Sequence, residues 1–431
     1  MKPAEWGLTL AFDPMYRGHA RGFHFFFNEA LALALIFANL FAPKARTKLF
    51  PPGLWVYLLY CFVSMISLIN APSQAYALMA SLKAFKIILF FIAAYNFFRQ
   101  EEDFHFFLKV MSYTMIWEMF VVLKMKYVDR LYQVWGTFEH QNSLVMYASM
   151  IGMVLLAAAA ARKHRNANIY LFGFIATGVI TQSTLSRAGV VIFAAGTVGV
   201  VVLSLLEKVS RRRLAVAGAL VAVAVVGLSF TLDSIVARFN DSYNSQSGLT
   251  RDHLNLASAK MLHDYPLGVG LNNYGVMINH PYPYGDHIDE YERVELGHRI
   301  DKTIQKGISE SIYWLVLAET GYLGFVTFIA FLLVYLWWAV RNAWHFRRQF
   351  IGALSMGIAM GFSLNYTQSL LERVLLQPRN MMVWFILLAA VAKIHTWRKQ
   401  SKRRSKKSLN ELSPSIGVPQ ERQLAAARVV L

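Results

Sequence analysis

Long apolar runs separated by short charged breaks dominate this chain. About eleven runs have the length of roughly 20 residues that a helix needs to cross a bilayer. They lie near 24–42, 54–71, 80–98, 104–125, 143–161, 168–184, 188–206, 214–231, 322–340, 350–366 and 379–394. Only 16% of the residues are charged, whereas soluble domains carry roughly 25%. The pattern predicts an all-α integral membrane protein, a polytopic bundle of about 11–12 transmembrane helices.

The net charge of +18 is typical of either a nucleic-acid-binding protein or a membrane protein with basic loops. Here the basic residues stand in short loops between apolar runs and in the tail after 395, which is the positive-inside pattern. Counting spans back from a cytoplasmic tail puts the basic loops near 44–48, 162–165, 208–213 and 341–348 on one side. We therefore expect a multi-pass protein with its N-terminus outside and no nucleic-acid partner. A further helix within 1–22 would move the N-terminus inside.

This topology divides the chain into four parts. They are an N-terminal transmembrane bundle (1–231), a large outer loop (232–321), C-terminal transmembrane helices (322–394) and a basic, disordered cytoplasmic tail (395–431). Because the loop contains aromatics, Gly and Pro turns and a helical stretch near 251–264, we expect it to fold over the outer face. The single cysteine excludes an intramolecular disulfide and a Cys-based metal site.

Basic residues also occur on the predicted outer side, where the positive-inside rule disfavours them. Lys83 and Lys86 lie near the outer end of a span, Arg187 ends a tight turn between spans, and Arg251 opens the helical stretch of the loop. A lone arginine at a membrane boundary is more often an anchor at the interface, and Arg251 alone is equally well explained by a solvated helix face. Several such residues together indicate an anionic ligand, because the planar guanidinium binds phosphate oxygens in pairs.

A metal site is the alternative for the acidic part of the loop. His287, Asp289 and Glu290 lie close in sequence, but their spacing matches no standard site. We therefore expect no metal.

The motifs on the outer side resemble those of the O-antigen ligase and O-antigen polymerase superfamily. These bacterial inner-membrane glycosyltransferases use glycans carried on undecaprenyl diphosphate. The resemblance covers about 136–325 and rests on the order, spacing and membrane side of four motifs. The motifs are Gly136-Thr-Phe-Glu-His-Gln-Asn142, Ser183-Thr-Leu-Ser-Arg187-Ala-Gly189, Arg251 ahead of Asp264-Tyr-Pro-Leu-Gly-Val-Gly-Leu-Asn-Asn-Tyr274, and Leu317-Ala-Glu-Thr-Gly-Tyr-Leu-Gly324.

The resemblance implies a metal-independent, inverting transfer without a cofactor at the periplasmic face of the bacterial inner membrane. Arg187 and Arg251 match the arginines that bind the donor diphosphate. The other residues expected at the donor diphosphate are Lys83 and Lys86, and those expected to bind substrate are His140, Asn142, Asn272 and Asn273.

The sequence leaves three residues as alternatives for the general base. Many members of the superfamily carry a His-Asn pair about nine residues before the Glu-Thr-Gly, but Glu310 and Ser311 stand there in this chain. Glu310 is therefore one choice for the base, and His280 or His298 from the long loop are the others.

The sequence also leaves the identity of the acceptor undecided. A ligase transfers the glycan to lipid A-core or to a protein, and a polymerase transfers it to another lipid-linked repeat; we favour the ligase. A transporter of lipid-linked oligosaccharides is the alternative from another class. It predicts internal repeats and charges buried within spans, and no repeat is visible.

Overall fold

The computed structural model describes residues 7–41, 47–161, 166–207, 209–218, 243–295 and 305–416. Two short strands, β1 (Gly7–Phe12) and β2 (Gly22–Phe26), precede the helices. The helices are α1 (Phe27–Phe41), α2 (Leu54–Ser64), α3 (Gln74–Lys86), α4 (Ile88–Phe97), α5 (Glu101–Leu123), α6 (Gln141–Ala160), α7 (Ala167–Ser183), α8 (Arg187–Glu207), α9 (Tyr243–Asp264), α10 (Tyr274–Met277), α11 (Asp286–Val294), α12 (Ile312–His345), α13 (Phe350–Gln368) and α14 (Pro378–Ile416).

The predicted fold class is confirmed. Each predicted span coincides with one or two of these helices, except that 219–231 of the span 214–231 lies outside the described residues. Six of the described helical segments are long and apolar enough to cross a membrane: Gln74–Phe97, Glu101–Val128, Gln141–Ala160, Arg187–Glu207, Ile312–His345 and Pro378–Ser405. The chain is an all-α polytopic membrane protein with one small hairpin before its first helix.

Helix α6 is the centre of the bundle. All of its residues from Ser143 to Ala160 are buried, and α5, α7, α8, α13 and α14 pack around it. Small residues permit this close approach, as at Gly357 of α13, where an added Cβ would lie 2.8 Å from the Ala157 Cβ. The central helix therefore fixes the positions of the helices whose ends carry the polar residues described below.

The two ends of the bundle differ in their charges. At one end, the Ile312 amide that opens α12 donates to the Ser369 carbonyl at the end of α13 (3.1 Å). At the other end, the Lys393 ammonium donates to the Tyr95 carbonyl (3.2 Å) and lies near Lys48 and other basic residues. Among the described residues, the start of α12 therefore lies at one end of the bundle, and Lys48 and Lys393 lie at the other.

The N-terminal segment forms an antiparallel hairpin, which the sequence did not reveal. β1 pairs with β2, with Gly7 opposite Phe26 and Phe12 opposite Gly22. Between the strands, the Ala20 amide donates to the Asn272 side-chain oxygen (3.0 Å). No helix is present in the described part of 1–22, and the hairpin lies at the same end of the bundle as the loop.

The loop docks into a break in helix α12. Gly321 has φ 65° and ψ −170°, which interrupts the helix and leaves the carbonyls before it without helical partners. The amides of Val269 and Gly270 donate to the Ala318 and Glu319 carbonyls (3.0 Å each). The Tyr322 amide in turn donates to the Pro266 carbonyl (3.1 Å). Two of the four motifs are therefore joined to each other by backbone hydrogen bonds.

Two expectations about helix bounds are wrong. The tail was expected to be disordered from 395, but α14 continues to Ile416. The tail is rich in Lys and Arg, which favour helix, and it contains no glycine and no proline before Pro414, so nothing ends the helix earlier. Arg251 was expected to open a helix, but α9 begins at Tyr243 and Arg251 lies within it. Residues 417–431 lie outside the described part.

Candidate functional site

An arginine paired with two carboxylates lies at the loop end of the bundle. The Arg251 guanidinium of α9 contacts the Glu310 carboxylate just before α12, and its Nη2 donates to Glu372 Oε1 at 2.9 Å. The side chains of Arg251 and Glu310 are partly exposed, whereas Glu372 is buried. These ion pairs connect α9 to the segment before α12 and to the segment between α13 and α14.

Glu372 is also the link to the other two motifs. Its Oε1 accepts a hydrogen bond from Asn142 Nδ2 (2.6 Å), and Asn142 Oδ1 accepts one from the Ser186 hydroxyl (2.9 Å). Ser186 directly precedes Arg187, the first residue of α8. Side chains far apart in sequence therefore form one connected polar group, which we call the Arg251 cluster: Arg251, Glu310, Glu372, Asn142 and Ser186.

Local structure at two helix starts holds the cluster in place. His140 precedes α6, and its Nδ1 accepts a hydrogen bond from the Asn142 amide (3.2 Å), which is a side-chain cap of the helix. The turn between α7 and α8 is tight and contains Leu185 at φ 54°. Arg187 is half-buried next to the cluster. His140 also interacts electrostatically with Glu310.

Burial and neighbouring charges shift the pKa values of two groups in the cluster, Arg251 and Glu372. Burial opposes the charge of Arg251, but the hydrogen bond and the negative charge of Glu310 outweigh it and raise the arginine pKa above its ordinary value. Burial raises the pKa of Glu372 to about 7, although Arg251 acts against the shift. Glu372 is thus poised to change its charge near neutral pH.

This shift predicts a pH dependence of stability. Because the folded-state pKa of Glu372 lies above the ordinary 4.5, the folded state binds the proton more tightly than the unfolded state. That stabilisation is fully present below pH 4.5 and is lost as pH rises to about 7, with an upper limit of about 3 kcal/mol. We expect the melting temperature of the purified protein to fall between pH 5 and pH 8, and to fall less in Glu372→Gln. The exposed Glu295→Gln serves as the control; equal slopes in all three proteins would contradict the assignment.

A small cavity with a charged end lies between the loop and the membrane helices. Its volume is about 70 Å³, and apolar and aromatic side chains, mainly from α2, α3, α12 and α14, line most of it. His19, Lys83 and Glu319 form the polar end, where the Lys83 ammonium donates to the His19 carbonyl (3.2 Å). Burial lowers the pKa of His19 to about 3, so its ring, 3.6 Å from Glu319, is neutral at physiological pH.

The other predicted lysine has a protein partner. Lys86 forms an ion pair with the buried Glu29 of α1 (2.7 Å) and donates to the His24 carbonyl (2.6 Å). It therefore fastens the hairpin and α1 to α3. Lys83 and Lys86 are only three residues apart, but only Lys83 lines the cavity.

The two loop asparagines are buried in backbone contacts. The Asn272 amide group donates to the Ala20 carbonyl (2.8 Å), and Asn273 donates to the Ser73 carbonyl (3.1 Å) and accepts from the Ser73 amide (2.8 Å). These contacts join the loop to the hairpin and to the start of α3. Their predicted role in binding substrate stays a prediction.

The three alternatives for the general base differ in their position relative to the Arg251 cluster. Glu310 belongs to the Arg251 cluster, whereas His280 is exposed after α10, and within the described residues no hydrogen bond or ion pair links it to that cluster. His298 lies outside the described residues. Sequence reasoning noted Arg373 only as a basic residue on the predicted outer side, did not single out Ser186 within its motif, and missed Glu372, whose only available signal was its position at a predicted outer helix end.

Comparison with known proteins finds one family that resembles part of the chain. Residues 172–329 match the family model described as O-antigen ligase, and this range includes the Arg187 turn, α9 and the broken part of α12. None of the curated proteins matches the chain. Over this range the match supports the resemblance to the O-antigen ligase and polymerase superfamily that the motifs predicted.

Proposed function

We propose that this protein is an O-antigen ligase-like glycosyltransferase. It transfers a glycan from undecaprenyl diphosphate to an acceptor at the periplasmic face of the inner membrane, in the synthesis of lipopolysaccharide or another surface polysaccharide. The observation that carries the proposal is the Arg251 cluster, which joins three of the family's motifs at the loop end of a membrane-spanning bundle.

Cationic side chains supply the stabilisation that the reaction needs. A sugar that leaves a diphosphate transfers negative charge to the leaving oxygens, and fixed donors aimed at that charge lower the barrier. Arg187 and Arg251 bind these oxygens in the proposal, and Lys83 approaches from the cavity. Lys86 would reach the ligand only by giving up Glu29. Because these cations neutralise the charge, the proposal assigns no metal and no cofactor to the reaction.

The ion pairs of Arg251 connect donor binding to base catalysis. Its guanidinium already contacts Glu310 and Glu372, so a diphosphate that binds Arg251 competes with these carboxylates for its donors. Glu310 is the more exposed of the two and is the one released. Freed from its cation, Glu310 becomes a better proton acceptor and takes the proton of the acceptor hydroxyl as general base. Direct attack of that hydroxyl on the anomeric carbon gives inversion.

His140 and the cluster residue Asn142 orient the acceptor. His140 is exposed at the start of α6, and Asn142 bridges Glu372 and Ser186 directly below it. Both offer polar groups that can hydrogen-bond to sugar hydroxyls. Asn272 and Asn273 contribute through the position of the loop.

The polymerase is the second function that this site supports. It uses the same donor and differs in its acceptor, which is another lipid-linked repeat. The transporter is disfavoured by the family match and by the break in α12. In transporters, helix breaks expose backbone groups to the substrate, whereas here the loop backbone occupies the break.

The test replaces the proposed base. We expect Glu310→Gln to lower glycan transfer at least 100-fold, because a missing general base typically reduces rates by 10²–10⁴. Surface glycan is measured by gel in cells that express equal amounts of each variant, and the solvent-exposed Glu295→Gln is the matched control. Accumulation of lipid-linked polymer identifies a ligase, and accumulation of single repeats identifies a polymerase.

Normal surface glycan from a well-expressed Glu310→Gln variant would exclude Glu310 as the base. His280→Ala and His298→Ala in the same assay then decide between the other two choices.

A further inference from the structure

Most cationic groups at the loop end have a clear partner in the fold. Arg251 is paired with two carboxylates and Lys86 with Glu29. Arg379 donates to the Thr137 carbonyl and hydroxyl and lies over the Phe138 ring. These contacts satisfy their charges without a ligand.

The Arg373 guanidinium lacks such partners among the described residues. Arg373 follows Glu372 directly, and its Nη1 is shielded from solvent without a hydrogen-bond partner among the described residues. Glu310, Glu372 and Glu319 act on it electrostatically, but within the described part of the chain no carboxylate lies within 4 Å of its guanidinium, the distance of an ion pair. Burial lowers its pKa below the ordinary arginine value.

The position of Arg373 connects the two polar regions of this end. It interacts electrostatically with His140, Glu310 and Glu372 at the Arg251 cluster. It also interacts with His19, Lys83 and Glu319 at the polar end of the cavity. Arg373 therefore interacts both with carboxylates of the Arg251 cluster and with the predicted diphosphate lysine, Lys83.

A shielded guanidinium donor without a partner is unfavourable for the fold alone. Removing a charged group from water is costly unless hydrogen bonds replace those lost. Natural proteins keep such groups mainly where a ligand supplies the missing contact. An oxygen anion with several acceptor atoms fits best, because the guanidinium offers a planar fork of donors.

We propose that Arg373 is a diphosphate-binding residue of the donor site, which takes phosphate oxygens between Arg251 and Lys83. This assignment rests on the proposed function and adds a residue to it. Arg251 already donates to two carboxylates, whereas the Arg373 Nη1 has no partner among the described residues and donates to the phosphate oxygens without displacing one. The anion that Arg373 holds then competes with Glu310 for Arg251.

The test measures binding on the full-length protein in detergent. Calorimetric titration with inorganic pyrophosphate and with geranyl diphosphate compares wild type, Arg373→Met, Arg373→Lys and Arg379→Met. Methionine keeps much of the side-chain volume and removes the charge, and Arg379 is a matched arginine of the same segment with partners of its own.

We expect Arg373→Met to weaken the binding of both probes at least tenfold and Arg373→Lys to weaken it less. Arg379→Met should bind both probes as wild type does. The melting temperature of Arg373→Met should equal or exceed that of wild type, because the variant loses a shielded charge and no ion pair.

Three results would overturn the assignment. One is wild-type affinity in Arg373→Met, and another is an equal loss in Arg379→Met, which would indicate a general charge effect. If Arg373→Met does not fold, Arg373→Lys decides, and wild-type affinity in that variant is the third. Absence of binding of both probes to the wild-type protein would instead contradict the donor class in the proposed function, and the assignment of Arg373 with it.

Discussion

Replacing Arg251 with alanine is expected to abolish glycan transfer, with a loss of at least 100-fold. Removal of one preorganised donor to a developing charge typically lowers the rate by 10²–10³, and here the same change leaves the buried Glu372 without its cation. Surface glycan measured by gel, normalised to the amount of protein in the membrane, checks the result. A fall in membrane protein alone would show only that the pair supports folding.

Two further variants separate these effects. Lys260→Ala removes an exposed basic residue of the same helix, whose contact is with His287, and should leave transfer unchanged. Arg251→Lys keeps the charge beside Glu372 and loses the planar fork, so we expect wild-type expression and greatly reduced transfer. Full transfer by Arg251→Lys would contradict bidentate binding of the diphosphate.

Replacing Gly321 with alanine is expected to disrupt the fold itself. The residue has φ 65°, and an added Cβ would lie 2.3 Å from the Pro266 carbonyl oxygen and 2.4 Å from the Leu267 carbonyl carbon. A left-handed conformation costs alanine about 1 kcal/mol or more, and the clash with fixed backbone adds about 1–3 kcal/mol. Loss of the folded protein on size-exclusion chromatography, or a drop in melting temperature of several degrees, is the measurement.

Gly307→Ala is the control for this effect. Its Cβ would meet no described atom within 4 Å, so its stability should match that of wild type. The reciprocal change Gly268→Ala should behave as Gly321→Ala does, because its Cβ would lie 2.4 Å from the Glu319 carbonyl oxygen and its φ is 89°. Wild-type stability of either variant would show that the loop does not dock into α12 as described.

The fold class was predictable because hydropathy and length act locally. A bilayer requires about 20 apolar residues per helix, and that requirement can be read from any single stretch of sequence. The hairpin was not predictable in this way. Its strands are five and six residues long, and their stability depends on contacts such as Tyr16 to the Asn272 carbonyl, far along the chain.

The candidate site was predictable only in part, for a related reason. Arg187 and Arg251 stood out because a positive charge on the outer side violates a statistical rule that applies to sequence. Glu372 violates no rule, and its importance lies in accepting hydrogen bonds from Asn142 and Arg251 at once. Asn272 was singled out from the sequence, but its side chain bonds to backbone. Sequence alone does not show whether such an amide faces a ligand or the backbone.

The loop-filled break in α12 also bears on motion. A glycine interruption in a long membrane helix ordinarily acts as a hinge, about which the two halves swing. Here the Val269 and Gly270 amides donate before the break and the Pro266 carbonyl accepts from Tyr322 after it, so these hydrogen bonds span the break and restrict hinge motion. Glu310 stands just ahead of this helix, and Arg251 precedes the docking loop on α9. The donor arginine and the proposed base would then move as one rigid unit while lipid-linked substrates enter and leave beside them.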